Sequence, residues 1–178
     1  MPATVAESKL APMTSHSDFF LKLGDIKGES MDDKHKGEID LITFRFGVRQ
    51  PGAAAAVGAG SGAGKAQFHE FEFTKRIDSA SPKLMQACAS GQHFPEVTLT
   101  CRRAGGNQAE YLKIKLEQVL VSGYETIGGE ANLKDTLPVD TFHLNFAKIT
   151  YNYKAQNSDG TEGANTQTGW DLQANKKI

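Results

Sequence analysis

The run Ile39-Asp40-Leu41-Ile42-Thr43-Phe44-Arg45-Phe46-Gly47-Val48 changes the parity of its apolar residues midway. Ile39 and Leu41 are odd, whereas Ile42, Phe44, Phe46 and Val48 are even. A strand with one buried face repeats its apolar residues at every second position, so this slip means that the chain turns its other face inward. The same slip recurs where Leu112, Ile114 and Leu116 give way to Val119 and Val121, and where Phe142, Leu144 and Phe146 give way to Ile149, Tyr151 and Tyr153. Either one inserted residue, a β-bulge, bends and twists each strand, or two short strands meet at a tight bend. The bulge reading leads to a curved, mainly β structure that curls into a barrel or passes its strands between two packed sheets.

Outward from this run the other elements follow in order. Residues 18–23 alternate Phe19, Leu21 and Leu23 with Phe20 and Lys22, and Gly24-Asp25 ends that strand. A polar turn through Gly28-Glu29-Ser30 and Asp32-Asp33 precedes the strand at 38–49. Residues 53–65 are small and Gly-rich, cannot anchor a core, and read as an extended contact loop. The strand at 68–77 sets Phe71 and Phe73 against Glu70 and Glu72. One helix follows, with Ser81 as cap, Pro82 in the first turn, Leu84, Met85 and Cys88 on one face, and Gly91 at its end. Strands at 97–103 and 110–122, joined through Gly105-Gly106-Asn107, form a hairpin, and another strand runs over 141–154. Residues 156–168 read as a polar loop, and 170–176 as a last short strand with Trp170 and Leu172 on one face.

The 178 residues suit one domain with its own core. Residues 1–17, rich in Ala, Ser, Thr and Pro, read as a disordered tail, and 18–178 as the domain. With 20 Lys plus Arg against 21 Asp plus Glu, the long-range attraction that draws proteins to nucleic acid or anionic membranes is missing. Cys88 and Cys101 read as small buried apolar residues, with a single bridge between them the alternative. Neither a membrane-span length of apolar residues nor a secretory signal pattern occurs, which places folding in the cytoplasm.

Each motif that hints at chemistry fails on spacing. Gly58-Ala59-Gly60-Ser61-Gly62-Ala63-Gly64-Lys65 resembles a phosphate loop, but Ala59 stands where its first glycine belongs and Ala66 where Ser or Thr should follow Lys65. Cys88, His93 and Cys101 match no zinc spacing and lack a fourth ligand. Glu70 and Glu72 share a strand face that ordinarily meets water, and neither Ser nor Cys occupies a nucleophile signature. The expectation is therefore a protein that is not an enzyme and carries neither cofactor nor metal.

A series of blocks resembles the hemolysin-coregulated proteins, the Hcp family of the bacterial type VI secretion system. They are Asp18-Phe19-Phe20-Leu21-Lys22-Leu23-Gly24-Asp25-Ile26-Lys27-Gly28-Glu29-Ser30, His35 with Glu38-Ile39-Asp40, Phe73-Thr74-Lys75 with Ile77-Asp78, and Ser81-Pro82 through Leu84-Met85 and Ala87-Cys88 to Ser90-Gly91. Ala104-Gly105-Gly106, Leu144-Asn145-Phe146-Ala147 and Gly169-Trp170-Asp171 complete the set, so the resemblance runs from Asp18 to the carboxy terminus.

The resemblance implies a two-sheet antiparallel β-barrel with one helix, six copies closing into a ring and rings stacking into a hollow tube. A contracting sheath propels such a tube, with a spike protein of the VgrG type and small effector proteins held in the lumen. The subunit would be cytoplasmic before firing and then leave for the extracellular space or a target cell without a signal peptide. By the same resemblance Thr43 and Arg45 face the lumen, while Gly58, Gly62, Lys65, Gly105, Gly106 and Gln173 meet neighbouring subunits or rings. Residues 1–17 run ahead of the family's usual start, and no folded toxin domain follows Trp170, which implies a plain tube subunit. The competing reading is a monomeric β-barrel that binds a small ligand inside, against which the phenylalanine-rich inward faces argue for a filled core.

Overall fold

The run over residues 39–48 does divide, and the way it divides closes the structure. In the computed structural model, which describes residues 17–51, 65–104, 108–129, 137–157 and 161–178, the chain forms β1 (Ser17–Leu23), β2 (Ile39–Leu41), β3 (Thr43–Arg45), β4 (Val48–Arg49), β5 (Gln67–Phe68) and β6 (Phe71–Arg76). Helix α1 (Ser81–Ser90) follows, then β7 (His93–Arg103), β8 (Glu110–Ile127), β9 (Val139–Asn145), β10 (Lys148–Gln156), β11 (Glu162–Asp171) and β12 (Lys176–Lys177). Every strand pairing is antiparallel among the described residues. The single strand expected at 38–49 is instead three short ones, because β2 pairs with β1 while β3 pairs with β6. Ile42, between them, donates its N–H to the Thr74 carbonyl at 2.7 Å.

The circuit β1, β7, β8, β9, β6, β3 is thereby closed by the continuous chain from β3 back to β2. Long β8 serves both halves: residues from Leu112 to Glu117 pair with β10, and those from Leu120 to Ile127 pair with β9. Its parity slip falls at Gln118, which takes a left-handed φ of 54°. The slip is a crease shared by neighbours. In β7 the buried residues change from Phe94 to Val97, paired with Val119 and Leu116, and on the other side β9 ends at Asn145 where Phe146 and Ala147 are both buried. The Ala147 N–H bonds the Glu117 carbonyl at 3.0 Å, stitching the crease. The slip in β8 thus falls inside one unbroken strand, whereas Leu41/Ile42 and Phe146/Ala147 are bends between short strands.

The interior is filled by large side chains. Phe71, Phe73, Phe142 and Leu144 are fully buried, with Leu21, Leu99, Ile114 and Leu116 also inside. Phe46 stacks on Phe71 at 4.3 Å and Phe71 on Phe73 at 5.5 Å between ring centroids, offset contacts that add to apolar burial. This packing leaves the described interior to side chains and favours no ligand there.

Four expectations change. Ser81 is the first helical residue, not the cap; Ala80 holds that place, and the Asp78 carboxylate accepts the Ala80 N–H at 2.8 Å. Met85 is exposed, so the inward face of α1 is Leu84 and Ala87 with half-buried Cys88, while Gly91 closes the helix at a left-handed φ of 64°. Residues 156–168 are mostly strand, since β11 pairs with β10 along Lys148 to Gln156. The short strand expected at 170–176 is the end of β11, a turn in which the Asp171 carboxylate accepts the Ala174 N–H, and β12 returning on Trp170. Both cysteines are free.

Candidate functional site

The outer face of β3, β6, β9 and late β8 is a ladder of polar side chains. Because Phe44 and Phe46 turn inward, half-buried against Phe19 and Phe71, the residues between them, Thr43 and Arg45, are exposed. Register aligns Thr43, Thr74, Thr141 and Glu125 in one row, and Arg45, Glu72, His143 and Gly123 in the next. Cross-strand neighbours of opposite charge contribute roughly 0.2–1 kcal/mol each. In the second row His143 Nε2 lies 3.5 Å from Glu72 Oε2, and the ring occupies the space over Gly123, where an added Cβ would stand 2.9 Å from Nδ1. Beside this row an open groove of about 510 Å³ is lined by Arg45, Gly47, His69, Glu70, Glu72 and His143. Thr43 and Arg45 therefore belong to a broader polar face with Glu70 and Glu72, to which His69, Thr141 and His143 are added by the fold.

A second groove, of about 400 Å³, sits on the crease. Lys65 and Gln173 both open onto it, with Gln118, Leu120, Phe146 and Leu172 beneath. Two of the residues implied to meet neighbours are thus brought together by the fold, although they lie far apart in the chain. Gly58, Gly62, Gly105 and Gly106 lie outside the described residues.

The third feature is the β10–β11 ribbon, which branches from β8 outside the closed circuit. Tyr151 and Tyr153 pair with buried Ile114 and Leu112, so they carry the core side of the sheet outward, yet both are exposed. Their partners in β11 are Thr168 and Thr166. Past Glu162 the outer strand is uncharged until Asp171, without the Lys or Pro that commonly blunts a free edge. Among the described residues no group of three or more His, Cys, Asp or Glu is placed to hold a metal. The described helices include none long and apolar enough to cross a membrane.

Comparison with known proteins gives a consistent picture. The family model for the type VI secretion system effector Hcp matches residues 20–153. The chain is 44% identical over 162 residues to the protein hcp1 of Pseudomonas aeruginosa, an alignment spanning 89% of this chain and 96% of that one. A solved structure described as a type six secretion system protein matches with a TM-score of 0.85 and 31% identity, covering 92% of this chain and all of the other (100%). The crystal structure of Hcp1 from Salmonella typhimurium matches with a TM-score of 0.73 and 34% identity over 91% and 99% of the two chains.

Proposed function

The chain belongs to the Hcp family of the type VI secretion system, and we propose that, as a subunit of the secretion tube, it closes into six-membered rings that stack around a cargo-holding lumen. The 44% identity to a Pseudomonas aeruginosa Hcp over nearly the whole of both chains carries this reading. The fold supports it physically. Head-to-tail contacts between unlike patches of one molecule close into rings when the rotation closes and run on as filaments when it does not. The chain offers unlike patches: a polar ladder, a groove at the crease, and a ribbon with an unprotected edge.

In this arrangement the ladder with Thr43 and Arg45 lines the lumen and meets small effector proteins. The crease with Lys65 and Gln173 joins Gly58, Gly62, Gly105 and Gly106 in contacts between rings or subunits. A neighbouring copy covers Tyr151 and Tyr153 on the ribbon. The partners are further copies of the chain, a spike protein of the VgrG type, the contractile sheath and effectors. The subunit waits in the cytoplasm and leaves with the fired tube. Its work is mechanical and asks for neither cofactor nor catalytic group.

Size-exclusion chromatography with light scattering, followed by negative-stain imaging, tests this directly. Six-membered rings are the expected outcome; a purely monomeric species at micromolar concentration would overturn the assembly.

A further inference from the structure

Away from those surfaces, the loop from Gly24 to Glu38 folds back over the outer face of β1 and β7. It is knit by its own backbone bonds, Gly28 N–H to Gly37 at 3.0 Å, Ser30 N–H to Glu38 at 3.1 Å and Gly37 N–H to Ser30 at 2.8 Å. What it covers is Phe20, which points away from the core residues Leu21 and Leu23 yet is only 4% exposed. Two side chains bury that ring. His35 stacks on it at 4.2 Å between centroids, nearly parallel, and the Arg102 guanidinium lies 5.0 Å from its centroid.

His35 is itself 6% exposed, and each of its ring nitrogens faces a carboxylate. Nδ1 hydrogen-bonds with Glu38 Oε2 in the same loop at 3.0 Å, whereas Nε2 lies 3.4 Å from Glu110 Oε1 at the start of β8, within ion-pair distance but without a hydrogen bond. A neutral imidazole offers one N–H and one lone pair. In either tautomer, then, a buried lone pair would confront a carboxylate oxygen. Only the imidazolium both bonds Glu38 and turns a positively charged N–H, not a lone pair, toward Glu110.

The surrounding charges accommodate that cation. From β7, Arg102 is matched by Asp18 of β1 at 3.1 Å and by Asp32 of the loop at 2.6 Å. From β8, Lys113 lies 3.1 Å from Glu110, and Lys34 of the loop adds a further positive charge near it. From β2, Asp40 sits across from Phe20. The four carboxylates Asp18, Asp32, Glu38 and Glu110 thus enclose Arg102 and His35, with the lysines at the rim. Burial works against the charge on Glu110, but Lys113, His35 and Lys34 outweigh it and hold its carboxyl below the ordinary range.

We infer that His35 is the latch of a proton-dependent clasp, fastening the loop between β1 and β2 to the start of β8 and keeping Phe20 covered. Protonated, it ties Glu38 to Glu110; deprotonated, it leaves one carboxylate facing a lone pair. The clasp therefore holds while the imidazole carries its second proton and loosens once rising pH removes it. One proton links the two states, so the opening constant climbs by at most about tenfold per pH unit.

Hydrogen exchange at the Ser30, Gly37 and Glu38 amides of the full chain between pH 6 and 8 reads this equilibrium locally. After correction for the intrinsic chemistry of exchange, protection at these three amides should fall with pH in the wild type and lose that dependence in His35→Gln. In Glu110→Gln the dependence should shrink, because only Glu38 is left to reward the proton. As a control that needs no variant, the His35 ring resonances should titrate together with the loss of protection. Protection that is flat across this range in the wild type, or a dependence that survives unchanged in His35→Gln, would overturn the clasp.

Discussion

Lys75 shows how far a single residue can be read. It stands on the same strand parity as Phe71 and Phe73 and is fully buried, its ammonium held by Asp140 at 3.0 Å, Asp78 at 2.7 Å and the Ser81 hydroxyl at 2.9 Å. The parity was visible in the sequence; the partner was not, because Asp140 arrives from β9 only when that strand pairs with β6. Asp140 also accepts from Tyr124 at 3.0 Å and Thr126 at 2.8 Å, so it bridges β6, β8, β9 and the start of α1. Removing one partner of a buried ion pair costs about 3–5 kcal/mol, since the other charge is left uncompensated. Asp140→Ala should lose about that much in urea unfolding, whereas the exposed Glu125→Ala should change little. Burial opposes the Asp140 charge, but hydrogen bonds from Ser81, Thr126, Lys75 and Tyr124 outweigh it and hold the carboxyl below the ordinary range. Its stabilisation is therefore complete above the usual carboxylate titration, and it is lost as pH falls further. Unfolding measured from pH 6 down to pH 3 should show a steep loss in the wild type and a shallower one in Asp140→Asn.

At the scale of elements, the parity slips were legible because inward residues are large and apolar, and the crease at Gln118 lies where the sequence placed it. The backbone there is left-handed in a residue with a side chain, which costs about 1 kcal/mol that glycine does not incur. Gln118→Gly should therefore raise the unfolding midpoint slightly, and Gln118→Val should lower it. Strand β11 was hidden for the converse reason. Its Glu-Gly-Ala-Asn-Thr-Gln-Thr run is exposed on both faces, so it has no apolar alternation to betray a strand. Backbone pairing with β10 alone makes it one. Tyr151 and Tyr153 misled in the same region, because alternation reports which face a residue is on but not whether another layer covers that face. Gly28 marks a tight approach between the loop after β1 and the start of β2, where an added Cβ would meet the Glu38 carbonyl oxygen at 2.5 Å and the Ile39 Cα at 2.6 Å. Gly28→Ala should destabilise by about 1–3 kcal/mol, an overpacking cost that calorimetry can register.

For the whole molecule, assembly and cargo retention should separate. Reversing charge at Arg45 alters only the polar ladder, so Arg45→Glu should keep the ring in light scattering while changing how much effector copurifies. Introducing two carboxylates on the ribbon, as Tyr151→Glu with Tyr153→Glu, should instead shift the species toward smaller assemblies, with circular dichroism unchanged because neither ring is in the core. Fold class, helix α1 and the filled interior of the described residues could be read from sequence because each rests on local periodicity and side-chain volume, properties that neighbouring residues carry themselves. The closing of β2 and β3 around the circuit, the placing of Lys65 and Gln173 on one groove and the enclosure of His35 between Glu38 and Glu110 were decided only in three dimensions. Each depends on strand register between segments far apart in the chain, and register is set by the packing of all the strands at once.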